Sequence, residues 1–60
     1  MAKFITIKNK YENYKINIEK VEIINIFSDN IEFIFNDNKF CAMKKYCINF
    51  DEVKEIVKNL

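Results

Sequence analysis

The residue types that most often carry chemistry are sparse in this 60-residue chain. Two cysteines, Cys41 and Cys47, stand six positions apart, with no Cys-x-x-Cys spacing and no histidine anywhere. On one strand that separation spans about 20 Å, beyond the reach of a disulfide. A tetrahedral zinc site would have to draw its missing ligands from carboxylates, which structural zinc sites rarely use. Both cysteines therefore read as buried free thiols in a reducing compartment. Ser28 is the only serine and Thr6 the only threonine, so a Ser–His–Asp triad has no members to draw on. A cysteine nucleophile would lack its histidine and depend on a nearby lysine to lower its pKa. Carboxylate pairs such as Asp29/Glu32 and Asp51/Glu55 have the spacing of ordinary solvated surface groups. Glycine is absent, and with it any loop that could cradle phosphate. These residues predict a protein that is not an enzyme and that uses no metal or other cofactor.

Two further groupings suit binding. Lys10, Tyr11, Tyr14 and Lys15 interleave cations with aromatic rings, and Lys44 and Lys45 adjoin Tyr46. Rings on a sheet surface can stack on single-stranded bases while lysines meet phosphates. Arginine, the usual bidentate reader of phosphate and guanine, is absent. Nucleic-acid binding through Lys10, Tyr11, Tyr14, Lys15, Lys44 and Lys45 is thus the alternative expectation. The other grouping is a matter of charge order. Residues 1–20 carry five lysines against two glutamates, and residues 38–48 carry three lysines and no acid. Between them, residues 21–37 carry Glu22, Asp29, Glu32 and Asp37 with no lysine. An apolar centre with charged edges is the form of a protein–protein contact. The first expectation is therefore a non-catalytic interaction module that uses Glu22, Ile24, Ile26, Asp29, Glu32, Ile34 and Met43.

The elements that must position these groups follow from composition and periodicity. Half the residues are hydrophobic and 32% are charged, which suits one folded domain spanning residues 1–60. The net charge of +1 supplies no strong field for nucleic acid or anionic lipid. No apolar run is long enough to cross a membrane, and Met1-Ala2-Lys3-Phe4 lacks the apolar core of a signal peptide, so a cytoplasmic location is expected. The abundance of Ile, Lys and Asn, without Gly, Pro or Arg, points to an AT-rich genome. Without glycine, positive-φ turn positions must fall to Asn or Asp. These cluster at Asn9, Ser28-Asp29-Asn30 and Asn36-Asp37-Asn38.

Strands are expected over Phe4–Ile7, Tyr14–Ile18, Val21–Phe27, Ile31–Phe35 and Lys39 to about Tyr46. Turns are placed at Asn9-Lys10, Glu19-Lys20 and Asp37-Asn38, the last pairing Phe35 with Phe40 and Phe33 with Ala42. At Ser28–Asn30 two registers stay open, one pairing Phe27 with Ile31 and the other Ser28 with Ile31. Phe50, Val53, Ile56, Val57 and Leu60 form one helical stripe. Asn49 as N-cap, Glu52 as its capping-box partner and an Ile48/Val53 staple would start a helix from about Phe50 to Asn59. The fold class is α+β, a small antiparallel meander of four to five strands with one C-terminal helix.

Strands three and four are apolar at both parities. In the Phe27–Ile31 register one face carries Val21, Ile23, Phe27, Ile31, Phe33 and Phe35, and the other Ile24, Ile26 and Ile34; in the Ser28–Ile31 register the membership changes, but both faces stay substantially apolar. A ten-residue helix is about 15 Å long and covers only part of one face. The remaining face must meet curled strands, a second copy or a target, and a homodimer is expected, with a host protein as a further partner. In size, AT-rich composition and lack of catalytic residues the chain resembles small phage proteins that inhibit bacterial defence, such as anti-CRISPR proteins. No motif carries that resemblance. It implies binding to a nuclease complex and blocking it by occlusion.

Overall fold

Alternating side chains fold the first part of the chain into a hairpin. In the computed structural model, which describes residues 3–60, strand β1 (Phe4–Lys8) pairs antiparallel with β2 (Asn13–Asn17). The reading of Met1 and Ala2 as the start of a leaderless chain lies outside the described residues. Ile5 faces Ile16 and Ile7 faces Tyr14 across this hairpin, so the expected apolar faces of both strands coincide. The turn centres on Lys10-Tyr11, one residue beyond the expected place, and is closed by the Asn9 N–H donating to the Glu12 carbonyl at 2.9 Å.

The meander then breaks into two sheets. The Asn17 side chain accepts the Glu19 N–H at 3.1 Å and starts one 3-10 turn, Ile18–Lys20. That turn takes the chain away from β2, and the ladder is not carried across to the next strand. Strands β3 (Ile23–Ile26), β4 (Asn30–Phe35) and β5 (Asn38–Met43) form a separate antiparallel sheet in the order β3-β4-β5. After β5 the chain makes a short irregular passage, and the single helix α1 spans Phe50–Lys58.

Both turns of the second sheet differ from expectation. Ile26 pairs with Ile31 and the Phe27 N–H donates to the Asn30 carbonyl, so the two-residue loop is Ser28-Asp29. Neither register left open by the sequence is the observed one. Phe35 pairs with Asn38 and Phe33 with Phe40, which makes Asn36-Asp37 the other loop. Asn36 takes φ 43°, the one positive value among the described residues, and Asn is the L-residue that tolerates it best. A two-residue slip in the β4–β5 pairing keeps every side chain on its expected face. In the β3–β4 pairing, by contrast, Ile24 and Ile26 join Ile31, Phe33 and Phe35 on one face, and Ile23 and Phe27 join Ile34 on the other.

The core lies between the sheets and under the helix. Ile5, Ile7 and Ile16 come from the first sheet, Ile31, Phe33 and Ala42 from the second, and Phe50, Val53 and Val57 from α1, with Cys47 beside them. No polar side chain of the described residues is buried there. Within the expected helical stripe, Ile56 and Leu60 lie on an exposed fringe.

Asn49 stands at the N-cap position but makes no capping hydrogen bond, and its ψ of 37° is outside the extended range that capping favours. Its amide is turned to the free edge of β1, where Oδ1 accepts the Lys8 N–H at 2.9 Å and Nδ2 donates to the Thr6 carbonyl at 3.0 Å. The expected capping box and staple are therefore not formed, and Ile48 is 73% exposed. The Ile48 N–H donates to the Lys8 carbonyl and Asn9 bridges Cys47, so residues 47–49 cover the edge of β1.

Candidate functional site

Two surfaces gather the residues singled out from the sequence. The first is the outer face of the β3–β4–β5 sheet. By strand alternation and the observed register it carries Ile23, Asn25 and Phe27 from β3 and its turn, Asn30, Glu32 and Ile34 from β4, and Lys39, Cys41 and Met43 from β5. The inner face packs on the core, and none of Ile23, Phe27, Ile34 or Met43 belongs to that packing. Ile23 is 52% and Phe27 46% exposed.

The seven expected contact residues are thereby divided. Glu32, Ile34 and Met43 stand together on the outer face, and Asp29 lies in the turn at its end. Ile24 turns inward and packs half-buried against the core, and Ile26 is on the same inner side at the sheet edge. Glu22 lies just before β3, donating its N–H to the Ile34 carbonyl. Ile23 and Phe27, which the Phe27–Ile31 register sets on the face of Ile31 and Phe33, belong to the surface instead, the side on which the Ser28–Ile31 register sets them; only the register of a glycine-free turn separates the two assignments. Nor is the face strongly acidic. Lys39 approaches Glu32 at 3.6 Å, Asn25 donates to the same carboxylate at 3.3 Å, and Lys44 is hydrogen-bonded through its N–H to the Asp29 carbonyl. Strand β5 thus brings Lys39 beside Glu32, and Lys44, just beyond its end, brings its backbone to that of Asp29.

The second surface is a groove of about 460 Å³ beside the β1–β2 turn, lined by Asn9, Lys10, Tyr11, Glu12, Tyr14, Lys45 and Tyr46. All three tyrosines of the chain meet there. Lys10 lies 5.5 Å from the Tyr11 ring centre and Lys45 5.1 Å from that of Tyr46, cation–π distances that hold each ammonium over a ring. Tyr14 packs its ring on Phe40 at 5.2 Å, and its hydroxyl donates a hydrogen bond to the Glu12 carboxylate. That hydrogen bond, then burial and the Glu12 charge, raise the Tyr14 pKa above its ordinary value. Of the six residues expected for nucleic acid, Lys10, Tyr11, Tyr14 and Lys45 are brought together. Lys15 is on the opposite face of β2, across from Thr6. Lys44 lines a neighbouring hollow with Asp29, Met43 and Lys45. Tyr46 completes the groove; its place beside Lys45 was the available signal.

The two thiols differ. Cys47 is buried, and burial raises its pKa, partly offset by hydrogen bonds from the backbone of Asn49 and Lys8. Cys41 is exposed on the outer face, contrary to its expected burial, because Cys41 has the parity of Glu32 and not of Phe33. Among the described residues no three His, Cys, Asp or Glu side chains gather closely enough to hold a metal ion, and no helix is long and apolar enough to cross a membrane. No protein-family model, curated protein or solved structure matches this chain.

Proposed function

We propose that the protein is a non-catalytic protein-interaction module whose contact surface is the outer face of the β3–β4–β5 sheet. The observation that carries this reading is two apolar groups, Ile23 with Ile34 and Phe27 with Met43, at the two ends of a sheet face outside the core packing. With Glu32 and Lys39 neutralising one another between them, the two groups suit a partner protein that offers apolar side chains on either side of a polar centre. Affinity would come from a few buried anchors, with little dependence on salt. Occlusion of a larger complex, the mode implied by the resemblance to small defence inhibitors, requires only a stable surface of this kind.

The test compares the parent with Phe27→Lys/Ile34→Lys in capture from a nuclease-treated lysate of an AT-rich bacterium. The expected result is a stoichiometric protein partner held by the parent at low and high salt and lost by the variant, whose far-UV spectrum is unchanged. Retention of that partner by a folded variant overturns the reading. Ile24→Lys is unsuitable, since it would place a charge against the core.

A second reading is favoured by the convergence of all three tyrosines on the Lys10/Lys45 groove. Two exposed rings with adjacent ammonium groups can stack single-stranded bases and meet the backbone between them. It predicts that a labelled oligopyrimidine binds at low salt and that Tyr46→Ala weakens binding about tenfold, matching the ~1–3 kcal/mol of one base–ring stack. No change in anisotropy at low salt removes it.

A further inference from the structure

Three strand edges are open among the described residues, those of β2, β3 and β5, while the edge of β1 is covered by residues 47–49. Open edges invite pairing with another chain, and folded proteins usually blunt them with charge. Strand β2 carries Lys15 between Asn13 and Asn17, and β5 carries Lys39, with Lys44 just beyond its end. Strand β3 has no such protection: from Ile23 through Ser28 there is no charged residue. Apolar side chains are also exposed on both sides of this one edge, Ile23 and Phe27 on the outer face and Ile26, 39% exposed, on the inner. A partner lying on the outer face would leave Ile26 in water. A strand added beside β3 would shield both sides together.

The backbone and sequence of β3 indicate which strand that is. The Phe27 N–H bonds to the Asn30 carbonyl, so Phe27, Asn25 and Ile23 turn their N–H and C=O groups toward β4. The N–H and C=O groups of Ile24 and Ile26 therefore point to the open edge. The segment Ile23-Ile24-Asn25-Ile26-Phe27 is also close to palindromic about Asn25. Placed antiparallel to a copy of itself about a two-fold axis through Asn25, each Ile24 meets the other copy's Ile26 in a hydrogen-bonded pair. That register forms four backbone hydrogen bonds across the axis. On the outer face each Ile23 meets Phe27 of the other copy, and the two Asn25 amides face one another at the non-hydrogen-bonded position. No charge opposes a like charge, and every apolar side chain meets an apolar one. Such self-matching is the requirement of a two-fold interface.

We infer that the protein self-associates as a dimer through β3, joining two three-stranded sheets into one of six strands, with Asn25 on the two-fold axis. The inference rests on the strand edge and does not depend on a partner docking to the outer face. Two variants test it. Asn25→Lys leaves the subunit a favourable pairing, because position 25 lies opposite Glu32, yet sets two ammonium groups against each other at the axis. Sedimentation equilibrium should show a dimer for the parent and at least a tenfold weaker one for Asn25→Lys, with an unchanged far-UV spectrum. Asn25→Cys in a Cys41→Ser background should form an intermolecular disulfide on mild oxidation. Cα atoms at a non-hydrogen-bonded pair are about 4.5 Å apart, within disulfide reach. Ser28→Cys in the same background, off the axis, should not. A parent that stays monomeric at every concentration overturns the inference. So does a dimer that persists in Asn25→Lys and fails to cross-link through position 25.

Discussion

Asn49 offers a sharp test of how this small domain is held together, because two roles for it predict opposite outcomes. As a helix cap, Asn is interchangeable with Asp and Ser, and Asp gains a few tenths of a kcal/mol from the helix dipole. As observed, its amide binds β1 through both ends, accepting from Lys8 and donating to Thr6. Asn49→Asp keeps the acceptor but removes the donor, leaving the Thr6 carbonyl unpaired and facing a carboxylate oxygen. A stranded, partly buried carbonyl costs about 1–3 kcal/mol. The hydrogen bond kept to Lys8 becomes charge-assisted and returns part of this, so a net loss of about 1–2 kcal/mol is expected. Asn49→Ser is too short to span both groups and loses both bonds, for about 2–3 kcal/mol. In a domain of this size each kcal/mol moves the melting temperature by about 4–8 °C. Urea unfolding followed by circular dichroism at neutral pH measures both variants. The order parent, Asp, Ser in decreasing stability is expected. If either variant lies within about 0.5 kcal/mol of the parent, the clamp is not a stabilising contact and the argument fails.

Further predictions concern the thiols and a turn. In the native protein a thiol reagent should modify Cys41 at once and Cys47 only on unfolding, giving one reactive group without denaturant and two with it; two native equivalents would refute the burial of Cys47. Cys47 and Tyr14 both have folded pKa values raised above their ordinary 9.0 and 10.0. The unfolded chain therefore releases these protons first, and stability present below about pH 9 should decline as pH rises through the folded values. Cys47→Ala should flatten that decline, and an unchanged slope in pH-dependent urea titrations would exclude the thiol as a cause. At Asn36, held at φ 43°, Asn36→Gly should be neutral within about 0.5 kcal/mol, and Asn36→Val should cost about 1–2 kcal/mol; equal stability of the two would contradict the left-handed turn.

Much of the fold is legible in the sequence where period and chemistry agree. Ile5/Ile7 and Tyr14/Ile16 alternate with polar residues, and β1 and β2 form with those faces inward. The stripe from Phe50 to Val57 likewise makes α1. The reading falters where one residue type must serve two purposes. Asn and Asp crowd both turns of the second sheet, so Ser28-Asp29-Asn30 and Asn36-Asp37-Asn38 each hold several acceptable loops. A one-residue choice at the first moves Ile23 and Phe27 between core and surface. Asn49 carries every local mark of a cap, and only the tertiary approach of β1, some forty positions earlier in the chain, gives its amide other partners. The groove was half legible: Lys10, Tyr11 and Tyr14 are neighbours in sequence, but the approach of Tyr46 from the far side of the chain depends on the Asn9–Cys47 bridge.

The seam between β1 and residues 47–49 also sets an order of events in folding. The β1–β2 and β3–β4–β5 units are built from tight turns, and each can close locally, at the speed of hairpins. The seam is different, since joining Lys8 to Ile48 closes a loop of about forty residues, at an entropic cost of about 3 kcal/mol before any contact repays it. That cost falls once the two sheets have shortened the effective loop. Assembly should therefore run from two independent sheet units to a final docking of the C-terminal segment, and substitutions at Ile48 or Asn49 should act mainly on the unfolding rate while those in the hairpin turns slow folding.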